Sequence, residues 1–170
     1  LLIMQGAGMK FNSSSSPTFQ LDAAYEDLGG VFFDADGDGD QDLYVVSGGN
    51  EFEQGSTLLQ DRIYLNDGRG LFNRAQNSLP EMLSSGSTVV ASDIDGDGDP
   101  DIMISAEDRN GQFVADTYLN DGNAIFTPSA STAFTPVANA AVAFIDVEND
   151  GDQDVIIAGT QSNDNNLTRF

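Results

Sequence analysis

One nine-residue pattern, written three times, constrains this chain more than any other feature. It reads DADGDGDQD at Asp34–Asp42, DIDGDGDPD at Asp93–Asp101 and DVENDGDQD at Asp146–Asp154. Acidic residues fill every odd position, and glycine fills position six in each copy (Gly39, Gly98 and Gly151). The copies start 59 and 53 residues apart. An apolar segment precedes each one (GGVFF, TVVAS, AAVAFI) and another follows it (LYVVSG, IMISA, VIIAG). A second motif, IYLNDGRGLF at Ile63–Phe72, returns 54 residues later as TYLNDGNAIF at Thr117–Phe126. Repetition at this period points to a propeller, a solenoid or an array.

The apolar runs are four to six residues long, rich in Val, Ile, Phe and Tyr, and bounded by Gly or Asp. They are too short for helices and read as strands. The NDG at Asn66–Gly68 and Asn120–Gly122 supplies residues that tolerate positive φ, as a hairpin requires. Each repeat therefore holds four strands: one before the Asp loop, one after it, one into YLNDG and one out to the Phe. Four antiparallel strands in a repeat of this length make the blade of a β-propeller, so the expected class is all-β.

A fainter echo, LIMQGAGMKF at Leu2–Phe11, aligns without gaps on Ile63–Phe72. On this register the chain starts in the second half of one repeat, and NLTRF at Asn166–Phe170 falls where a third YLNDG strand would begin. The expected layout is one partial propeller domain over 1–170. Within it, 1–28 is the end of a blade and a connection, 29–76 a full repeat, 77–87 a connection, 88–130 a second full repeat, and 131–170 the start of a third. Asn12–Thr18 and Ser129–Thr135 read as connections, and SLPEMLSSGS at Ser78–Ser87 as a connection with room for a short helical turn.

The Asp loops carry the chemistry. Hard divalent cations want several oxygen ligands, and Ca²⁺ accepts roughly six to eight in a flexible shell. Alternating carboxylates on a tightly coiled loop can meet one ion from positions one, three and five. Position seven then adds its backbone carbonyl, and position nine closes the shell with a carboxylate. The expected sets are Asp34, Asp36, Asp38, Asp40 and Asp42; Asp93, Asp95, Asp97, Asp99 and Asp101; and Asp146, Glu148, Asp150, Asp152 and Asp154. Glycine at position six permits the sharp turn around the ion. With Glu148 at position three and Asn149 at position four, the third loop is expected to be looser.

An EF-hand also begins D-x-D-G-D-G, but it needs a bidentate Glu at position twelve and flanking helices. Position twelve here is Val45, Ile104 or Ile157, each inside an apolar strand, which excludes it. Mg²⁺ is the weaker candidate because it demands a strict octahedron and keeps its waters. An unliganded acidic turn would need none of this phasing. The loops hold 15 of the 28 acidic residues. Three Ca²⁺ ions would move the net charge from −22 to −16. Without an ion, the packed carboxylates repel one another.

Composition narrows the function further. Against 28 acidic residues stand only 6 Lys and Arg, a field that repels nucleic acid and anionic membrane surfaces and attracts cations. No 18-residue apolar run is present to span a membrane. LLIMQGAGMKF is too short, and lacks charge ahead of its apolar run, to read as a secretory signal. With no Cys there is neither a disulfide nor a thiolate metal site. With no His, the usual transition-metal ligand and the usual catalytic triad are both missing. Every conspicuous carboxylate pair already belongs to a loop, so no acid/base pair is apparent. Tyr64, Tyr118, Phe72 and Phe126 recur at matching positions and read as inter-blade core rather than a sugar-stacking platform. Arg62, Arg69 and Arg74 read as scattered, solvated arginines.

The segments FFDADGDGDQDLYVV, ASDIDGDGDPDIMIS and FIDVENDGDQDVIIAG, together with YLNDGRGLF, resemble FG-GAP/VCBS repeats. They are similar to the Ca²⁺-binding blades of integrin α-subunit propellers, and closer still to those of bacterial secreted proteins. The resemblance spans about Gly29 to Gly159. It implies a propeller, usually seven-bladed, with Ca²⁺ in hairpin loops on one face and an extracellular or surface location. It also implies a role in adhesion or in recognition of a protein or polysaccharide ligand. About three blades are too few to close such a ring, so the others would come from a longer chain or from further copies. Two alternatives remain: a segment of a polysaccharide-acting enzyme such as a propeller lyase, and a structural spacer of a surface protein.

Overall fold

The computed structural model describes residues 2–5, 10–13, 16–107, 113–129, 138–160 and 166–169. The chain opens with a hairpin, β1 (Leu2–Gln5) against β2 (Lys10–Ser13), followed by a one-turn helix α1 (Thr18–Leu21). Two four-stranded antiparallel meanders come next. The first is β3 (Asp27–Phe33), β4 (Asp42–Ser47), β5 (Arg62–Asn66) and β6 (Phe72–Arg74). The second is β7 (Ser85–Ser92), β8 (Asp101–Glu107), β9 (Phe113–Asn120) and β10 (Phe126–Pro128). A third sheet holds β11 (Ala138–Ile145), β12 (Asp154–Thr160) and β13 (Asn166–Arg169).

Strand order follows chain order in every sheet, the topology of propeller blades. The three Asp loops join β3 to β4, β7 to β8 and β11 to β12, and the NDG turns join β5 to β6 and β9 to β10. The hairpin β1–β2 is the half-repeat that Leu2–Phe11 echoes, and β13 lies at Asn166 as the repeat register requires.

The sheets stack face to face. The first strand of the middle blade, β7, packs against β3 and β4 on one side and β11 on the other. The alternation of each strand explains the stacking, because successive side chains face opposite neighbours. Phe33, Tyr44, Val46 and Ile63 from the first blade meet Val89, Ile102, Ile104 and Phe126 from the second in one core. The rings of Phe33 and Phe126 meet edge-on at 6.2 Å. Met103 and Val90, on the far side of the second blade, meet Ile157, Val142, Phe144 and Val155 of the third. The opposite face of the first blade carries Leu43, Val45, Tyr64 and Phe72, capped by Phe19 of α1. Tyr64, Phe72 and Phe126 are thus buried core, and Tyr118 packs half-buried against it.

Three local expectations change. Ser78–Ser84 contains no helical turn; it runs irregularly across the seam, with Leu79 and Met82 packed on the core. The helical pieces are instead α1, which Pro17 opens with a φ of −61°, and a 3-10 turn at Thr57–Leu59. β3 and β7 start at Asp27 and Ser85, ahead of the apolar runs. Bulges after Asp27 and Gly86 break the apolar alternation that marks the rest of each strand. Of the two remaining connections, Asn12 and Ser13 lie in β2 and Thr18 opens α1, whereas 130–135 falls outside the described residues.

Candidate metal centres

Each Asp loop is built around the carboxylates at its two ends. Position one holds the coil. Asp34 accepts hydrogen bonds from the Gly37 and Gly39 amides at 2.9 Å, one on each oxygen. Asp93 accepts from Gly96 at 2.8 Å and Gly98 at 3.1 Å. Asp146 accepts from Asp150 at 3.1 Å and Gly151 at 3.0 Å. The glycines at position six turn with φ of 91°, 99° and 101°, in the left-handed region that side chains avoid. Asn149, at position four of the third loop, takes the left-handed conformation of its counterparts Gly37 and Gly96, with φ of 57°. Asn tolerates this region better than most residues. What differs in the third loop is the hydrogen bond, which shifts from the position-four to the position-five amide.

Position nine anchors the loop to the blade. Asp42 and Asp101 are fully buried. Asp42 accepts from the Ala35 amide at 2.9 Å and from the Asn66 amide at 2.8 Å. Asp101 accepts from the Ile94 and Asn120 amides, both at 2.8 Å. Asp154 repeats the first of these bonds, accepting from Val147 at 2.9 Å. Asn66 and Asn120 each add a side-chain bond from Nδ2 to the position-eight carbonyl, Gln41 at 3.1 Å and Pro100 at 3.2 Å. The sequence reading assigned these asparagines only to a turn. Their recurrence one residue before each DG was the signal that they also serve the loop.

Two groups of carboxylates converge. Asp34, Asp36 and Asp42 each place an oxygen within 4.8 Å of the others, and so do Asp93, Asp95 and Asp101. These are positions one, three and nine. The position-five carboxylates, Asp38 and Asp97, join neither group; they accept from the position-seven amides at 2.9 and 3.0 Å. The position-seven side chains of Asp40 and Asp99 crowd Gly68 and Gly122 of the NDG turns and join neither group. In the third loop, Asp146, Glu148, Asp150, Asp152 and Asp154 form no such group among the described residues, and Glu148, Asp150 and Asp152 are exposed. Burial, followed by the charges of Asp38 and Asp34, raises the Asp36 carboxyl above its usual range. Asp42 and Asp101 are raised as well, chiefly by burial. Three hard oxygen donors at one point, held by amides and close enough to repel one another, fit a hard divalent cation, which relieves that repulsion directly.

Away from the loops, two arginines overturn the solvated reading. Arg62 is 2% exposed. It pairs with Asp27, donates to the Tyr64 hydroxyl at 3.0 Å and to Ser47 Oγ at 3.1 Å, and lies 4.1 Å over the Tyr25 ring. Arg74 pairs with Asp22 at 2.8 Å. Both arginines sit on the face of the first blade that α1 and its following loop cover, where aromatic rings shield their charge. Arg69 is exposed, as expected. At the seam between the first two blades, Asp61, Glu81, Asp116 and Tyr118 line a cavity of about 220 Å³. Burial raises Asp61 to about 7, although it accepts from the Tyr44 hydroxyl and the Ser47 amide, both at 2.8 Å.

The family model described as FG-GAP-like repeat matches residues 34–104, from the first Asp loop through the second and into β8. No curated protein matches the sequence.

Proposed function

We propose, from the premise that residues 34–104 form an FG-GAP-like repeat, that the chain is a Ca²⁺-binding, non-catalytic set of propeller blades working outside the cell. Its role is adhesion or recognition of a protein or polysaccharide ligand. The observation that carries the metal assignment is the convergence of positions one, three and nine, made twice on the same backbone scaffold. In the first loop Asp34, Asp36 and Asp42 hold the ion with the Asp40 carbonyl. In the second, Asp93, Asp95 and Asp101 do so with the Asp99 carbonyl. Asp38 and Asp97 join the shell by giving up their bonds to the position-seven amides. The third loop closes around its ion as Asp146, Glu148, Asp150, Asp152 and Asp154 are drawn inward.

Ca²⁺ supplies charge neutralisation and order, and it takes no part in a reaction. Extracellular modules bind Ca²⁺ with dissociation constants on the order of 10⁻⁴–10⁻³ M, sufficient at extracellular concentrations. Further blades of the same kind, from a longer chain or from other copies, cover the exposed Phe32, which lies beside Phe72 on the first blade's outer face. Calorimetric titration tests the metal reading: about three Ca²⁺ per chain are expected, and no heat of binding at millimolar Ca²⁺ overturns it. Probing glycan and matrix-protein arrays with and without EDTA tests the recognition reading. Capture that EDTA abolishes is expected; absence of capture in both conditions favours a structural spacer.

A further inference from the structure

We infer that Asn120 couples the first two metal loops, so that filling one tightens the other; this rests on the Ca²⁺ reading above. The two loops belong to different blades, yet one unbroken run of hydrogen bonds joins a ligand of each. Asp42, at position nine of the first loop, accepts from the Ala35 amide at 2.9 Å. The carbonyl of the same fully buried Ala35 accepts from Asn120 Nδ2 at 2.9 Å, 85 residues away on the second blade. The Asn120 amide donates to Asp101, position nine of the second loop, at 2.8 Å. Asn120 Nδ2 also donates to the Pro100 carbonyl of that loop at 3.2 Å.

A second bond braces the junction, since the Ala124 amide donates to the same Ala35 carbonyl at 2.9 Å. In the first blade the equivalent amide, Gly70, bonds to Asn66 Oδ1 at 3.1 Å within its own turn. The second blade has diverted that donor across the seam, and Asn120 Oδ1 is left buried without a partner. Asn120 is 4% exposed, so it has little freedom to bend independently of either loop.

Coupling needs an element with two arrangements, and each loop is one: its carboxylates repel when empty and close on a cation when filled. Closing the first loop fixes Asp42, hence the two peptide groups flanking Ala35, hence Asn120, hence Asp101. Linkage makes the effect reciprocal. Asn120 is a positioning residue here and touches no ion.

The test follows the amide signals of Gly39 and Gly98 by ¹H–¹⁵N NMR through a Ca²⁺ titration of the full chain. Asp36→Asn in the first loop is expected to weaken Ca²⁺ binding at Gly98 about fivefold, the lower end of ordinary allosteric coupling. In an Asn120→Ala background the same change is expected to leave the Gly98 midpoint where it was. Asn66→Ala, whose side chain bonds within its own blade among the described residues, is expected to retain the coupling. Working at about 0.15 M salt, where the screening length is about 8 Å, suppresses direct Coulomb effects between the loops. A Gly98 midpoint indifferent to Asp36→Asn overturns the inference without any change at Asn120. Persistence of the shift in Asn120→Ala, or in Asn120→Ser should the alanine variant fail to fold, also overturns it. If neither glycine responds to Ca²⁺, the metal reading itself fails and the coupling falls with it.

Discussion

Asp42 and Asp36 converge on one point but stand in opposite relations to the fold. Asp42 is buried and satisfies two backbone amides, so Asp42→Ala leaves Ala35 and Asn66 with orphaned donors. At about 1–3 kcal/mol for each buried unsatisfied group, the metal-free protein should lose roughly 2–6 kcal/mol. Asp36 accepts a long 3.3 Å bond from the Asp38 amide and suffers repulsion from Asp38 and Asp34. Asp36→Ala should leave the metal-free protein unchanged or slightly more stable, while the first loop's Ca²⁺ response disappears. Urea unfolding in EDTA and in Ca²⁺ separates the two variants. Asp61 offers a test with no metal in it. Its carboxyl is raised from 3.8 to about 7, so the folded state holds the proton more tightly than the unfolded chain. The stability this contributes is complete below about pH 4 and is lost as pH rises through 7. Between pH 5 and pH 8 the wild type should therefore lose about 2–3 kcal/mol relative to Asp61→Asn. Parallel pH profiles for the two proteins would contradict that assignment.

At the scale of the element, the loop coil depends on backbone conformation as much as on charge. Gly39 turns with φ of 91°, and a Cβ added there would meet nothing within 4 Å. Gly39→Ala thus isolates the conformational cost, expected at about 1–2 kcal/mol by equilibrium unfolding. Strands, turns and the position-six glycines were legible in the sequence because each is a local property, set by alternation, by chain-reversing dipeptides or by the demand for positive φ. The retreat of Asp38 and Asp97 from the convergent groups was not legible, because an aspartate two residues before a free amide can bond to it instead of an ion. The spacing is identical in both cases. The early starts of β3 and β7 were hidden by bulges that break the alternation on which strand reading depends.

On the scale of the molecule, three blades stack in chain order, and each seam joins residues far apart in sequence. The repeat period made that stacking readable. The long-range chemistry was not, since Ala35 and Asn120 bond across the seam from 85 residues apart and Arg62 reaches Asp27 within the first blade across 35. Such pairings depend on which face of a strand meets which neighbour, and a motif does not encode that. Under the proposed Ca²⁺ binding, they also tie the metal to the fold. The Asp loop of the first blade docks on the turn of the second, so an open, self-repelling loop loosens the seam as well as itself.

Thermal unfolding of the chain in excess EDTA and again in about 10 mM Ca²⁺ tests this account most directly. A ligand present at 10–100 times its dissociation constant stabilises by about 1.4–2.7 kcal/mol per site. For a domain of this size each kcal/mol shifts Tm by about 2–4 °C, so two or three sites should raise it by about 6–32 °C. The account predicts such a rise, reversed by chelation and smaller with Mg²⁺. An unchanged Tm would contradict it.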